Sequence, residues 1–152
     1  SIDDIMGTFY RQTLFAAYEL KAHELAEQGV PITHESLSEI MIDLYKEFYD
    51  IDITLESGKE YVWAYIPHLF YTPFYVYQYS TSFAASLKLY EMVKEDPKNI
   101  DKHISLLKSG GNDFPVQQVL KAGVDLTTKE PFLAVVNRLN DLVAELEVAL
   151  KE

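Results

Sequence analysis

The sequence predicts an all-α fold, a compact multi-helix domain. Three observations lead there: apolar residues recur at helical spacing along most of the chain, cap and stop residues punctuate those stripes, and no succession of alternating strands appears. With 152 residues and 48% hydrophobic content there is enough apolar side chain for one real core, so residues 1–152 are expected to form a single helical domain.

In residues 3–28, Ile5, Phe9, Leu14, Ala17, Tyr18, Leu25 and Ala26 make the stripe of a long first helix, and Gly29-Val30-Pro31 stops it. Thr33 caps a second helix, whose core side is Leu37, Ile40, Met41, Leu44 and Phe48 and which ends near Tyr49. Ile51, Ile53 and Leu55 alternate like a strand, but so short a segment cannot build a sheet and is expected to be an extended connection. Thr72-Pro73 has the form of an N-cap followed by proline at the first helical position, which predicts a third helix running to about Lys94. Asp96-Pro97 opens a fourth helix that closes at Ser109-Gly110-Gly111, and Phe114-Pro115 opens a short fifth that closes at Gly123. Thr127-Thr128-Lys129-Glu130 reads as a capping box for a last helix through Leu150, with Phe132, Val135, Val136, Leu139, Leu142, Val143 and Leu146 on its buried side.

Composition narrows the function. A net charge of −11 without a Lys/Arg cluster repels polyanions and offers no phosphate-binding face, so no nucleic-acid partner is expected. No apolar run approaches the roughly 20 residues that span a bilayer, and no membrane role is expected. The absence of cysteine removes disulfides, thiolate metal sites and cysteine nucleophiles; it fits a reducing compartment, and the cytoplasm is the expected location.

The richest stretch is residues 66–79, Ile66-Pro67-His68-Leu69-Phe70-Tyr71-Thr72-Pro73-Phe74-Tyr75-Val76-Tyr77-Gln78-Tyr79, which holds one histidine and four tyrosines among mostly apolar neighbours. Imidazole and phenol can donate hydrogen bonds to a developing oxyanion, but nothing in the stretch is a nucleophile or holds a metal strongly. It has the chemistry of half an active site, against the alternative of an aromatic core with hydroxyls turned to water or backbone. With a helix starting at Pro73, residues 66–71 become a loop beside the helix start, Tyr75 and Tyr79 share a face, and His68 and Tyr71 approach the region of Tyr75.

Other motifs are weaker. His23-Glu24-Leu25-Ala26-Glu27 begins like His-Glu-x-x-His, in which two histidines one turn apart bind zinc, but Glu27 stands at the second histidine position, and a solvated helix face is the simpler account. Lys108-Ser109-Gly110-Gly111 lacks the spacing of a phosphate loop and fits a helix C-cap. Arg11 and Gln12 could fix a backbone or carboxylate, or form a plain surface pair.

Four landmarks stand in order along the chain: Arg11-Gln12-Thr13-Leu14-Phe15 followed by Glu19; Ile66-Pro67-His68 with Tyr71 and Phe74 to Tyr79; Leu107-Lys108-Ser109-Gly110-Gly111; and Ala122-Gly123-Val124-Asp125-Leu126-Thr127. Together they resemble the C-terminal region of the oligoendopeptidase F family, thimet-oligopeptidase-like zinc peptidases, over almost all of the sequence. The resemblance implies the C-terminal helical part of a larger zincin-like oligopeptidase that hydrolyses short peptides. The family's His-Glu-x-x-His helix and its downstream glutamate are not in this sequence and precede the Arg11 segment in family order, so the chain is expected to be a fragment cut after the metal site. Zinc would belong to the parent enzyme, with its ligands in the N-terminal remainder of the same protein; this chain would be inactive alone and could self-associate through surface left uncovered. His68 with Tyr71 or Tyr75 would serve the oxyanion as catalytic residues, and Tyr77, Tyr79 and Arg11 would contact substrate. Two departures from the family stand out: Ser80-Thr81-Ser82 replaces a small residue and glycine, which would tighten the helix beside the site, and Tyr18 stands where phenylalanine is usual. The alternative from another class is a non-catalytic helical module that holds a peptide or partner helix in an aromatic groove.

Overall fold

The structure, a computed structural model, describes residues 1–151. In chain order it contains α1 (Ile2–Asp4), a π-helical stretch Ile5–Tyr10, α2 (Arg11–Glu27), α3 (His34–Tyr49), 3-10 turns Ile53–Leu55 and Lys59–Tyr65, α4 (His68–Tyr71), α5 (Tyr77–Glu95), a 3-10 turn Pro97–Asn99, α6 (Ile100–Ser109), α7 (Pro115–Lys121) and α8 (Glu130–Ala149). There is no strand among the described residues, and the fold is all-α, as the stripes and caps predict. None of these helices is long and apolar enough to cross a membrane.

The chain divides into two compact units, Gly7–Ser80 and a second made of residues 1–6 with the chain from Thr81 onward. In the Gly7–Ser80 unit the core joins Leu14, Phe15 and Tyr18 of α2 to Ile40, Met41 and Leu44 of α3, closed by Ile53, Val62, Ile66 and Val76 from the connections. Burial of side chains such as Leu14, Met41 and Leu44 stabilises the unit by about 1.5–3 kcal/mol each. The predicted cap of α3 is present: the Thr33 side chain accepts from Ser36 N–H while the Ser36 side chain reaches back to Thr33. Asp50, left-handed at φ 53°, ends that helix.

In the second unit Ala85 and Leu89 of α5 pack with Ala122 and Val124, against the partly buried Met92, Leu106, Val119 and Leu126. Lys88 Nζ lies 2.8 Å from Glu130 Oε1, and that hydrogen bond holds the Lys88 ammonium above its ordinary range and ties α5 to the start of α8. Gly110 (φ 57°) closes α6, which makes Lys108-Ser109-Gly110-Gly111 a helix C-terminus as expected.

Four expectations are corrected. Ile51, Ile53 and Leu55 do not form an extended connection throughout: Asp52 caps Thr54, with 2.9 Å to its N–H and 2.6 Å to its hydroxyl, and winds a 3-10 turn that buries Ile53. Thr72-Pro73 does not start a helix; His68–Tyr71 is itself helical and α5 begins only at Tyr77, because Phe74 takes a left-handed backbone (φ 57°) that interrupts the helix. The capping box at Thr127 is not made, since both the N–H and hydroxyl of Thr127 bind Asp125 Oδ1 (2.9 and 2.7 Å) and Lys129 at the helix start is already helical. The buried side of α8 holds at Val135 but not at Val143 and Leu146, which are exposed.

Candidate functional site

Residues 66–80 are held at both ends by apolar burial, Ile66 and Val76 lying in the Gly7–Ser80 core. Between them Pro67 starts the single turn of α4, and the chain then reverses through Thr72, Pro73 and Phe74. A left-handed backbone at a bulky residue such as Phe74 costs about 1–2 kcal/mol and needs compensation from its surroundings. Two partners supply it. The Phe74 N–H donates to Glu19 Oε1 at 2.6 Å, and the His23 ring lies against the Phe74 ring with centroids 4.6 Å apart. Glu19 is only 4% exposed and His23 follows it by one turn of α2, so one helix holds both the backbone and the side chain of this residue.

The other end of the segment is locked by hydroxyls. Thr13 and Ser80 lie 2.9 Å apart, and both reach the Phe9 carbonyl, at 2.7 and 3.1 Å. Phe9 belongs to the π-helical stretch, where backbone bonds are displaced by one residue and a carbonyl becomes available to side chains. The Ser80 hydroxyl therefore ties the first turns of α5 to the π-helical stretch.

The fold gathers three of the predicted side chains. The His68 ring stacks on Tyr75 (centroids 5.3 Å, interplanar angle 11°) and meets Tyr79 edge-on (6.1 Å, 87°), while Tyr75 and Tyr79 meet at 5.5 Å and 77°. Although α5 starts later than expected, Tyr75 and Tyr79 still pair, because a tight turn with Gln78 N–H to Tyr75 O (3.1 Å) and Tyr79 N–H to Val76 O (3.3 Å) leads into the helix. Partial burial, then the hydrogen bond with Tyr75, raise the Tyr79 pKa. Tyr75 is 39% exposed and His68 is half-buried, so the cluster lies at the surface of the Gly7–Ser80 unit.

The remaining candidates are placed differently. Tyr71 is 83% exposed and makes no ring contact among the described residues. Tyr77 opens α5 and is half exposed. The Arg11 guanidinium lies over the Phe15 ring at 5.4 Å, with the side chain exposed. Sequence reasoning did not assign Glu19, His23 or Phe74 to the site. The available signal was Glu19 itself, an acidic residue on the same side of α2 as Leu14, Phe15 and Tyr18.

Beside this segment is a cavity of about 170 Å³, whose walls include Tyr18, Glu19, Trp63, Leu69 and Phe70. The Tyr18 hydroxyl is buried without a hydrogen-bond partner among the described residues, and burial pushes its pKa well up. No group of three or more His, Asp or Glu side chains among the described residues is arranged to hold a metal. His23 is engaged with Phe74, and Glu24 and Glu27 are exposed on α2, so the residues present do not fit a zinc site.

With this geometry in view, comparison with known proteins is decisive. Residues 1–138 match the sequence model of peptidase family M3. The chain belongs to that family. It is 37% identical over 147 residues to an oligoendopeptidase F homolog of Borreliella burgdorferi, covering 96% of this chain and 24% of that protein. It is 34% identical over 150 residues to the oligopeptidase PepF of Bacillus subtilis, covering 98% and 22%. The crystal structure of oligoendopeptidase-F from Enterococcus faecium superposes with a TM-score of 0.91 at 33% identity, over 99% of this chain and 29% of that one. The chain thus spans about a quarter of the length of these relatives.

Proposed function

We propose that this chain is the C-terminal helical part of a zinc-dependent oligoendopeptidase that hydrolyses short peptides, and that it contributes donors to the peptide while the metal ligands lie in the rest of the polypeptide. The observation that carries the proposal is the stack of His68 on Tyr75, backed by Tyr79, in a member of peptidase family M3. An imidazole N–H and a phenol O–H held side by side suit a peptide carbonyl whose oxygen gains negative charge, because preorganised donors bind that charge more strongly than the neutral carbonyl. Tyr79 supports the arrangement by meeting both rings edge-on, at 6.1 Å from His68 and 5.5 Å from Tyr75. The exposed rings of Tyr71 and Tyr77 are assigned to the peptide, with Tyr71 able to join the oxyanion once substrate is seated, and Arg11 to a peptide carboxylate or backbone carbonyl.

The test uses the full-length polypeptide that contains this chain. It should cleave a short fluorogenic peptide, and the 152-residue chain alone should not. In full-length protein His68→Ala and Tyr75→Phe should each lower kcat by about 10²-fold, the usual effect of losing one oxyanion donor, with zinc content unchanged. Wild-type kinetics in both variants would return residues 66–79 to a structural role. No hydrolysis by the full-length protein would favour the helical binding module instead.

A further inference from the structure

We infer that Glu19 is a positioning residue, whose buried carboxylate sets the Phe74 backbone and through it the placement of Tyr75 on His68. The inference rests on the proposed role of that pair. Glu19 is nearly inaccessible, and none of the ion pairs among the described residues involves it. Its visible engagement is the 2.6 Å hydrogen bond from the Phe74 N–H, across 55 residues of sequence. A carboxylate taken out of water requires compensation, and a charge-assisted bond from a backbone N–H supplies part of it. The same bond fixes the amide plane of a residue whose φ of 57° a bulky side chain rarely adopts.

Position matters here. Phe74 is the last residue before Tyr75, and only Thr72 and Pro73 separate it from α4, which carries His68. Its torsions therefore set the direction in which the chain leaves α4 and the face that Tyr75 presents to the imidazole. His23 adds a second restraint by holding the Phe74 ring, so α2 controls the reversal at two points one helical turn apart. Without an acceptor at position 19 the peptide plane is free to turn back toward negative φ, and the parallel stack of His68 on Tyr75 is lost while the rest of the core stays in place.

The experiment compares Glu19→Met, which fills the space without an acceptor, with Glu19→Gln, whose amide oxygen still accepts from Phe74. In full-length enzyme Glu19→Met should lower kcat by about 10²-fold, as a small misplacement of reacting groups does, and leave zinc content unchanged. Its KM should change by less than about threefold, because the lost interaction belongs to the transition state. Glu19→Gln should stay within about threefold of wild type in kcat. Wild-type kcat in Glu19→Met, or an equal loss in both variants, would overturn the inference. In parallel, NMR on the full-length protein should show the Tyr75 ring-current shift on the His68 ring protons and slow exchange of the Phe74 amide in wild type and Glu19→Gln, and neither in Glu19→Met. If the wild-type full-length protein hydrolyses no peptide, the proposed function fails and the NMR comparison alone decides: a His68 shift that persists in Glu19→Met overturns the positioning role.

Discussion

At Tyr18 the fold takes a phenol out of water. The ring is packed in the Gly7–Ser80 core, but its hydroxyl finds no hydrogen-bond partner there. A buried polar group left unpaired costs about 1–3 kcal/mol, so Tyr18→Phe is expected to raise unfolding free energy by about 1 kcal/mol. Urea titration of wild type and variant checks this, and equal or lower stability of Tyr18→Phe would show that the hydroxyl is satisfied in solution. Next to it, Glu19 shows the converse: a carboxylate as deeply buried as the apolar side chains around it, made compatible with the core by one backbone N–H. The two neighbours differ in whether the fold provides a partner, which residue type alone does not tell.

Local patterns placed some elements and misplaced others, as where Asp125 takes up Thr127 before α8, and at the start of α5 a distant partner intervened. Thr33 caps α3 through Ser36, three residues away, and the helix starts where the pattern places it. Thr72-Pro73 is an equally good local pattern, yet Glu19 holds the Phe74 N–H and delays α5 to Tyr77. Gly123 is a third case, visible in the sequence as the end of α7 and given its reason by the structure. Its φ is 97°, and a methyl group added there would come 2.9 Å from Met92 Cε. Met92 can swing aside, so the backbone dominates, and Gly123→Ala is expected to lower stability by about 1–2 kcal/mol. A thermal or urea melt measures it; an unchanged midpoint would mean that the turn relaxes freely.

For the molecule as a whole, the phenols impose a limit at alkaline pH. Burial raises the pKa of Tyr18, Tyr45 and Tyr49, and it is the largest cause in each case. The folded state therefore retains these protons where the unfolded chain, whose phenols ionise near pH 10, releases them. The stability they confer is complete below about pH 10 and is lost as pH climbs from there through the raised folded values. Denaturant midpoints measured from pH 8 upward should hold steady and then fall beyond about pH 10, with phenolate absorbance from these residues rising only as the chain unfolds. A midpoint that stays flat well past pH 10 would contradict the burial of these hydroxyls.

Taken by itself, the sequence determined the all-α class, most helix positions and the family, because helical periodicity, short-range caps and ordered landmarks are local properties written in consecutive residues. It also marked residues 66–79 as the chemically dense segment. Only the tertiary structure decided which of its side chains meet. His68, Tyr75 and Tyr79 form the cluster and Tyr71 stands apart because the chain reverses at Phe74. That reversal depends on a carboxylate 55 residues earlier in the chain. Hydrogen bonds across such separations leave no periodic trace in a sequence, since they are set by where packed helices place their side chains.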